Sequence, residues 1–286
     1  MIRSFLKKYY NIGMNSLPPR LATHLQFLRY HGRLARLGNP RTLNDHLAAR
    51  KLAWTPEDMR LVKLSDKIAV KDFVTAALGP GWVAPILWQG TDLADCPPLP
   101  FPYVIKTNHG SERNVFVFED KDLVGAREKC AEWLARRTPR RLSEEWYNHI
   151  EPRILVEPFF GQDGQAPVDY KFFCFDDQIP CIQVDTNRFG DHKRCFYNSE
   201  WKKLDFGNHY PLETADLPRP KHLDAMLEAA RILVEGFEFV RIDFYDLPSR
   251  ALFGEMTFCP TSSFGAFRPP EIDDWLGDVW KNANVK

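Results

Sequence analysis

The segment Phe239–Phe258 combines charged residues with a strand-forming pattern. Two runs of β-branched and aromatic residues flank a turn at Pro248, which predicts a β-hairpin. In a hairpin symmetric about Pro248, Arg241 lies opposite Glu255, with Asp243 on the same face. Two acids on a rigid sheet suit a divalent cation, Mg²⁺ with a bound phosphate, while a structural Arg–Glu pair is the alternative. The other face is apolar and is expected to pack in the core: Val240, Ile242, Phe244, Leu252, Gly254 and Met256.

Two lysines occupy other predicted strands. Lys106 ends the apolar strand Tyr103–Thr107 before a short polar loop, a position that suits phosphate oxygens but is also typical of a solvated lysine. Lys171 shares a strand face with Asp169, and its long stem allows the ammonium to reach a phosphate. A lysine at a sheet edge is the alternative for Lys171. His109 by itself is more often a hydrogen-bonded structural histidine than a catalyst.

A basic cluster follows the strand Cys181–Asp185 and contains Arg188, His192, Lys193 and Arg194. Arginine binds planar oxyanions bidentately, so this loop suits a carboxylate or an acyl phosphate, and a solvated charged loop is the alternative. The sequence contains no GxSxG, HExxH or GxGxxG motif. Distributed lysines, a basic loop and a carboxylate hairpin together fit phosphoryl chemistry by positioning and charge neutralisation.

Composition limits the classes of protein. The 286 residues are 44% hydrophobic and 27% charged, which predicts one large domain or two lobes with a sizeable core. Because 38 basic residues balance 38 acidic ones, a general nucleic-acid binder is not expected. Six scattered cysteines without a CxxC pair indicate reduced thiols and no zinc site. No long apolar stretch or signal peptide is recognisable, so we expect a cytoplasmic protein that is not integral to a membrane.

The elements that must position these residues alternate between helices and short strands. Residues 1–60 are expected to be helical, with further helices at 65–78, 123–137 and 222–235. Besides the hairpin, strands are predicted at 83–88, 103–107, 115–118, 153–160, 169–175 and 181–185. A polar loop is expected at 186–194, and the tail from Pro260 to Lys286 is expected to begin as a Ser/Gly/Pro loop. This order predicts an α+β or mixed α/β architecture.

The ordered motifs resemble one known family. They are KTNHGS (106–111), RILVEPFF (153–160), DYKFFCF (169–175), IQVDTNRFGDHKR (182–194), FVRIDFY (239–245) and FGEMTFCP (253–260). Together they resemble the TupA-like ATP-grasp proteins of bacterial teichuronopeptide, capsule and lipopolysaccharide biosynthesis. The likeness covers roughly residues 39–277.

The resemblance implies an ATP-grasp fold in which two α+β lobes enclose ATP. We expect an N-terminal helical region at 1–60, an N-terminal lobe at 61–156 and a catalytic lobe at 157–286. By matching position, ATP phosphates would contact Lys106 and Lys171, and Mg²⁺ would be held by Asp243 and Glu255. Adenine and ribose would rest on the inter-lobe strand formed by Glu157, Phe159 and Phe160. The same motifs assign His109, Ser111 and Asp169 to the nucleotide site. The transferred phosphate would face Arg188, Arg194 and Arg241.

The implied reaction is carboxylate–amine ligation through an acyl phosphate. The expected acceptor is a uronic acid of a surface polysaccharide or its precursor, and the amine is an amino acid or amino sugar. Association with a membrane-bound polysaccharide assembly complex is also expected. The alternatives are a glycosyltransferase or kinase of the same pathway, or a non-catalytic nucleotide-binding relic. The relic is suggested by the loop 111–114, which lacks the usual glycines. A second departure from the family pattern is Thr261–Ser263, where a more glycine-rich run is usual.

Overall fold

The computed structural model describes residues 10–111, 113–161, 164–187 and 190–283. After a helical stretch at 10–16, the α-helices are α1 (Pro19–His31), α2 (Leu43–Ala53), α3 (Met59–Ser65), α4 (Ala69–Leu78), α5 (Ala126–Ala135), α6 (Leu223–Leu233) and α7 (Glu271–Asn282). The strands are β1 (Trp88–Gly90), β2 (Tyr103–Thr107), β3 (Asn114–Val117), β4 (Ile154–Pro158), β5 (Asp169–Phe175), β6 (Gln178–Thr186), β7 (Lys193–Tyr197), β8 (Lys203–Leu204), β9 (Gly207–Asn208), β10 (Val240–Asp246), β11 (Ala251–Thr257) and β12 (Phe267–Arg268).

A four-stranded antiparallel sheet has the order β1-β4-β2-β3. Every second residue along β2 and β4 points to the same face and packs in one core. Ile105 and Val156 are fully buried, and they form a core with Ala126 and Cys130 of α5. This sheet positions Lys106 and Glu157 near its centre, because β2 and β4 are neighbours.

A six-stranded antiparallel sheet has the order β11-β10-β5-β6-β7-β8. One face carries apolar residues such as Phe172, Ile182 and Phe244, which are fully buried against helices that include α4 and α6. The other face brings charged residues into register. Asp243 lies opposite Lys171, and Asp169 lies opposite Asp185. Paired residues of adjacent strands point the same way, so the charges gather on one surface. The mixture of helices and antiparallel sheets confirms the predicted α+β class.

Local capping explains where the helices break. Thr42 begins α2 with a capping box, in which its hydroxyl accepts from the Asp45 backbone N–H. The helix predicted over 65–78 is interrupted, because the Asp66 carboxylate accepts the backbone N–H of Ile68 at 2.8 Å. Helix α4 therefore starts at Ala69. The interruption leaves Lys67 in a turn rather than on a helix face.

Two predicted elements differ from the structure, and one element was not predicted. The strand predicted at 83–88 begins only at Trp88, since Pro85 has no N–H to donate to a ladder. The polar loop predicted at 186–194 contains the start of β7, whose Arg194 is buried by pairing with Asp185. The tail after Pro260 contains α7, which the sequence pattern did not indicate.

All six cysteines are free thiols, and Cys96 is the least buried of them. Within the described residues, none of the helices has both the length and the apolar character needed to cross a bilayer.

Candidate functional site

The hairpin β10–β11 places two carboxylates side by side. Asp243 pairs directly with Glu255, and Arg241 pairs with Thr257. The predicted register was wrong by two residues, because the turn is centred between Pro248 and Ser249 and a bulge at Gly254 adds a second shift. A Cβ on Gly254 would lie 3.0 Å from the Asp243 carbonyl oxygen, so this close approach favours glycine. The position of the turn also moves Leu252 off the apolar face where it was predicted and onto the face of Tyr245.

Cations surround this pair of acids. Asp243 accepts from Lys171 Nζ at 2.8 Å and from Arg241 Nε at 2.7 Å. Arg241 also donates to Glu255 at 3.2 Å. Burial opposes ionisation of Glu255, but the nearby charges of Lys67 and Arg241 outweigh it and lower its pKa to about 2. Glu255 is therefore ionised, whereas burial raises the pKa of Asp243 above its usual value.

A second cluster lies on the four-stranded sheet. Glu157 forms ion pairs with Lys106 at 2.7 Å and with Lys71 at 2.6 Å. Despite burial, these two ammonium groups lower the pKa of Glu157. The structure thus brings the predicted Lys106 and Glu157 together and adds Lys71, which sequence reasoning missed. The lysine at this position of α4 resembled any solvated helix residue.

Lys67 joins the two clusters. Its Nζ donates to the Gly110 carbonyl at 2.6 Å and lies 3.9 Å from Glu255 Oε2. Burial lowers its pKa. Sequence reasoning gave Lys67 no role. The helix break at Asp66 was the missing signal, because it frees Lys67 to enter the site.

A cavity of about 140 Å³ lies between the two sheets. Its apolar part is lined by residues that include Phe159, Phe160 and Leu252, and its polar part by Lys71, Lys106, Glu157, Asp169, Asp243 and Glu255. Phe159 packs edge-on against Phe116, with ring centroids 5.5 Å apart. A cavity with one apolar end and one charged end fits a base at one end and phosphates at the other. We call it the nucleotide cavity.

A larger cavity of about 910 Å³ adjoins it. The residues that line both cavities include Lys67, Glu255, Gly110 and Ser111, so the cavities meet at Glu255. We call it the acceptor cavity. Its cationic lining includes Arg29, Lys67, Arg113, Arg141, Lys171, Arg194 and Arg241, and its aromatic lining includes Tyr10, Tyr30, Phe116, Tyr147, Tyr210 and Phe264.

Arg194 lines the acceptor cavity in a fixed orientation. Its guanidinium bonds to both carboxylate oxygens of Asp185, at 2.5 and 3.1 Å, and to Asn208 at 2.7 Å. Although burial opposes it, the bond from Arg194 lowers the pKa of Asp185 to about 2. Arg194 also stacks over Tyr210, 4.7 Å from the ring centroid. This residue is therefore held rigidly, as recognition of an anion requires.

Ser111 lines both cavities, whereas His109 stands apart from the other assigned residues. His109 is buried and is not among the described residues lining either cavity; its Nε2 accepts from Arg113 at 2.8 Å. Burial lowers the pKa of His109 to about 4. His109 therefore acts here as a support for Arg113. The predicted Arg188, and Glu112 of the neighbouring loop, lie outside the described residues.

The run Thr261–Ser263 contains no glycine but has a backbone conformation that favours glycine. Its φ values are 50°, 53° and 66°, all left-handed. Buried Lys51 donates to the Ser262 carbonyl at 2.6 Å, and the Ser262 hydroxyl donates to Glu144 at 2.6 Å. These bonds fix a strained turn at the wall of the acceptor cavity.

The donor set at the carboxylate pair suits Mg²⁺. This ion binds one or two protein carboxylates and completes its shell with water and substrate phosphate oxygens. Asp243 and Glu255 supply two opposed carboxylates on one sheet face, beside the Thr257 hydroxyl. A third acidic ligand is therefore not required.

The sequence matches the model of the TupA-like ATP-grasp family over residues 45–281. The chain therefore belongs to the TupA-like ATP-grasp family, and its two facing sheets form an ATP-grasp fold. No curated protein matches the sequence.

Solved structures of ligases are similar at low identity. D-alanine–D-alanine ligase from Helicobacter pylori shares 14% identity over 80% of this chain and 63% of its own, with a TM-score of 0.48. The Bacillus anthracis D-alanine–D-alanine ligase complexed with ATP shares 14% over 77% of this chain and 64% of its own, with a TM-score of 0.45. The ATP-grasp ligase PsnB, complexed with a precursor variant, Mg and ADP, shares 16% over 84% and 65%, with a TM-score of 0.42. This chain spans less than two thirds of the length of each.

Proposed function

We propose that this protein is an ATP- and Mg²⁺-dependent carboxylate–amine ligase. One observation carries the proposal: Glu255 and Lys67 line both cavities, so the phosphate end of a bound nucleotide would meet the acceptor there. Phosphoryl transfer needs the donor phosphate and the attacking oxygen in line and needs their charge neutralised. A junction of two cavities with cations on both sides meets both requirements.

ATP would lie with its base against Phe159 and Phe160 and its phosphates toward Lys106, Lys171 and Lys67. Lys106 lies on β2, Lys171 on β5 and Lys67 in the turn before α4, so the phosphates would be held from several directions. Ser111, on the loop after β2, lies where it can cover the phosphates. Mg²⁺, held by Asp243 and Glu255, would neutralise charge on the phosphate oxygens.

The acceptor carboxylate would enter from the acceptor cavity and face Arg241. This guanidinium is fixed by Asp243 and Glu255, whose charges raise its pKa although burial opposes this. An acceptor oxygen attacks the γ-phosphorus, the bond to the β-phosphate oxygen breaks, and ADP leaves. The amine then attacks the acyl carbon, phosphate leaves, and the amine loses a proton. Fixed cations such as Arg241 stabilise the charge that develops in each step.

We further propose a uronic acid, in a surface polysaccharide or its precursor, as the acceptor. The support is the size and lining of the acceptor cavity. A volume of about 910 Å³ exceeds the need of a single amino acid and falls within the range of drug-sized ligands. Arginines suit carboxylates, and aromatic rings such as Tyr30 and Phe264, stacked 5.7 Å apart, offer apolar faces.

Calorimetric titration with Mg²⁺ and a non-hydrolysable ATP analogue tests the nucleotide site. We expect binding that Lys106→Ala weakens about tenfold or more, since a charge-assisted contact is lost. Exposed Lys129, on α5, is the matched control, so Lys129→Ala should bind normally. Release of ADP and phosphate with uronic acids and amines then tests the reaction. Absence of binding by the folded protein, or consumption of a nucleotide sugar without ATP, contradicts the proposal.

A further inference from the structure

The first 44 residues of this protein carry a net positive charge. They contain eight Lys and Arg and no Asp or Glu, although the whole chain has a net charge of zero. The remainder of the chain is therefore acidic by the same amount. Such asymmetry indicates an anionic partner for the basic segment.

Helix α1, within this segment, has two apolar faces. One face packs on the body of the protein: Phe27 is fully buried against Ala35, Ala48 and Phe264. This contact is reinforced by Gln26, whose side-chain amide donates to the Arg141 carbonyl at 2.6 Å. Helix α1 is thus held in place independently of any partner.

The second apolar face is exposed. Leu21, Leu25 and Leu28 are 45%, 38% and 47% exposed, and their spacing of four and three residues puts them in one stripe. Ile12 and Leu34, in the flanking segments, are 53% and 56% exposed. Single exposed leucines are ordinary, but a stripe of them on one helix marks an interaction surface.

Two exposed arginines lie near the stripe in the sequence. Arg20 precedes Leu21 at the start of α1, and Arg36 lies in the segment that follows the helix. Leucines on one face with arginines beside them are typical of helices that lie in the interface of an anionic bilayer.

Helix α1 also forms part of the acceptor cavity. Gln26, Arg29 and Tyr30 line that cavity, and Arg29 stacks on Tyr10, 4.4 Å from its ring centroid. The same helix therefore carries the leucine stripe and a wall of the cavity. A surface bound to the stripe would lie beside this wall.

We propose that α1 docks this protein on an anionic lipid bilayer, through the stripe Leu21, Leu25 and Leu28 and the basic residues around it. The basic excess favours a bilayer over an apolar protein groove. Docking would bring acceptors at the membrane surface to the acceptor cavity. Membrane binding itself does not require ligase activity, so either proposal can fail alone.

Sedimentation of the full chain with liposomes tests the proposal. Phosphatidylcholine vesicles containing phosphatidylglycerol should bind the protein, and pure phosphatidylcholine should bind far less. Raising the salt concentration should weaken binding, since exposed charges are screened. Combined Leu21→Ser, Leu25→Ser and Leu28→Ser should reduce binding about tenfold or more. Combined Val124→Ser and Ile232→Ser, which change exposed apolar residues elsewhere, should leave binding unchanged.

A charge pair provides a second, independent test. Arg20→Glu with Arg36→Glu should weaken binding to anionic vesicles about tenfold or more. Lys63→Glu with Lys129→Glu makes the same change in net charge at exposed sites on α3 and α5, and should have little effect. Equal losses in both pairs would show attraction by net charge alone and overturn the docking site. Vesicle binding that the leucine changes do not affect would also overturn the docking site. A dimer in solution that these changes dissociate, with no protein bound to the vesicles, would overturn it as well.

Discussion

Asp243 and Glu255 lie directly opposite each other on β10 and β11, and Arg241 bonds to both. The turn and the bulge at Gly254 set this register. Glu255 lines both the nucleotide cavity and the acceptor cavity. The charges of the two acids are balanced by Lys171 and Lys67. The metal, the nucleotide and the acceptor would therefore contact the same set of side chains.

Replacing Glu255 should impair the use of Mg²⁺ without preventing the protein from folding. Glu255→Gln keeps the shape and the bond to Thr257 but removes the negative charge. We expect the ATP-dependent turnover to fall about a hundredfold or more, because charge neutralisation at the transferred phosphate depends on the metal. The measurement is ADP release against Mg²⁺ concentration. Glu228→Gln, at an exposed position of α6, is the control. An unchanged Mg²⁺ dependence in Glu255→Gln would contradict the metal assignment.

Lys67 should contribute to nucleotide binding, although sequence reasoning gave it no role. Lys67→Met keeps the length of the side chain and removes its charge, so the phosphates would lose one cationic contact. The dissociation constant of the ATP analogue, measured by calorimetry, should rise about tenfold. Lys63→Met, on the exposed side of α3, should not change it. Equal affinity of Lys67→Met and the wild type would limit Lys67 to its bond with the Gly110 carbonyl.

His109 should make stability depend on pH between about 6.5 and 4. Burial, aided by Arg113, lowers its folded pKa to about 4, from 6.5 when exposed. The unfolded chain therefore takes up a proton first as the pH falls, and stability present above pH 6.5 is lost progressively down to about pH 4. The loss from this group is roughly 3 kcal/mol. His109→Gln, whose amide oxygen can still accept from Arg113, should flatten this part of the urea-unfolding profile. An identical profile in the variant would show that other groups cause the dependence.

The strands that carry charge were predictable because they are rich in β-branched and aromatic residues. Tyr103–Thr107 and Asp169–Phe175 were predicted with the bounds that the structure shows. Regular alternation specifies which residues share a face, so Lys171 and Asp169 were placed together correctly. The hairpin register was not predictable in this way, because the centre of the turn and one bulged residue each shift the pairs that follow. Leu252 consequently moved from the predicted core face to the nucleotide cavity.

The long-range part of the site could not be predicted from local patterns. The ion pair between Lys71 and Glu157 joins residues far apart in the sequence. The sequence pattern places Arg194 in a polar loop. In the structure Arg194 is buried, because its ion pair with Asp185 offsets the free-energy cost of burying its charge. The role of α1 as a wall of the acceptor cavity depends on its packing against Phe264, which no periodicity in α1 reveals.

Gly277, in the middle of α7, should be essential for the packing of α7 on α2. A Cβ at this position would overlap the Arg41 carbonyl oxygen and lie 2.7 Å from the Thr42 Cα, and both are backbone atoms that cannot rotate away. Alanine favours a helix over glycine by about 1 kcal/mol, but overpacking costs typically 1–3 kcal/mol or more, so Gly277→Ala should lower the free energy of unfolding. Gly13, in the helical stretch 10–16, has open space around its Cβ position, and Gly13→Ala should keep or slightly raise stability. Urea unfolding of the two variants measures both effects, and equal stabilisation by both would contradict the close contact between α7 and the start of α2.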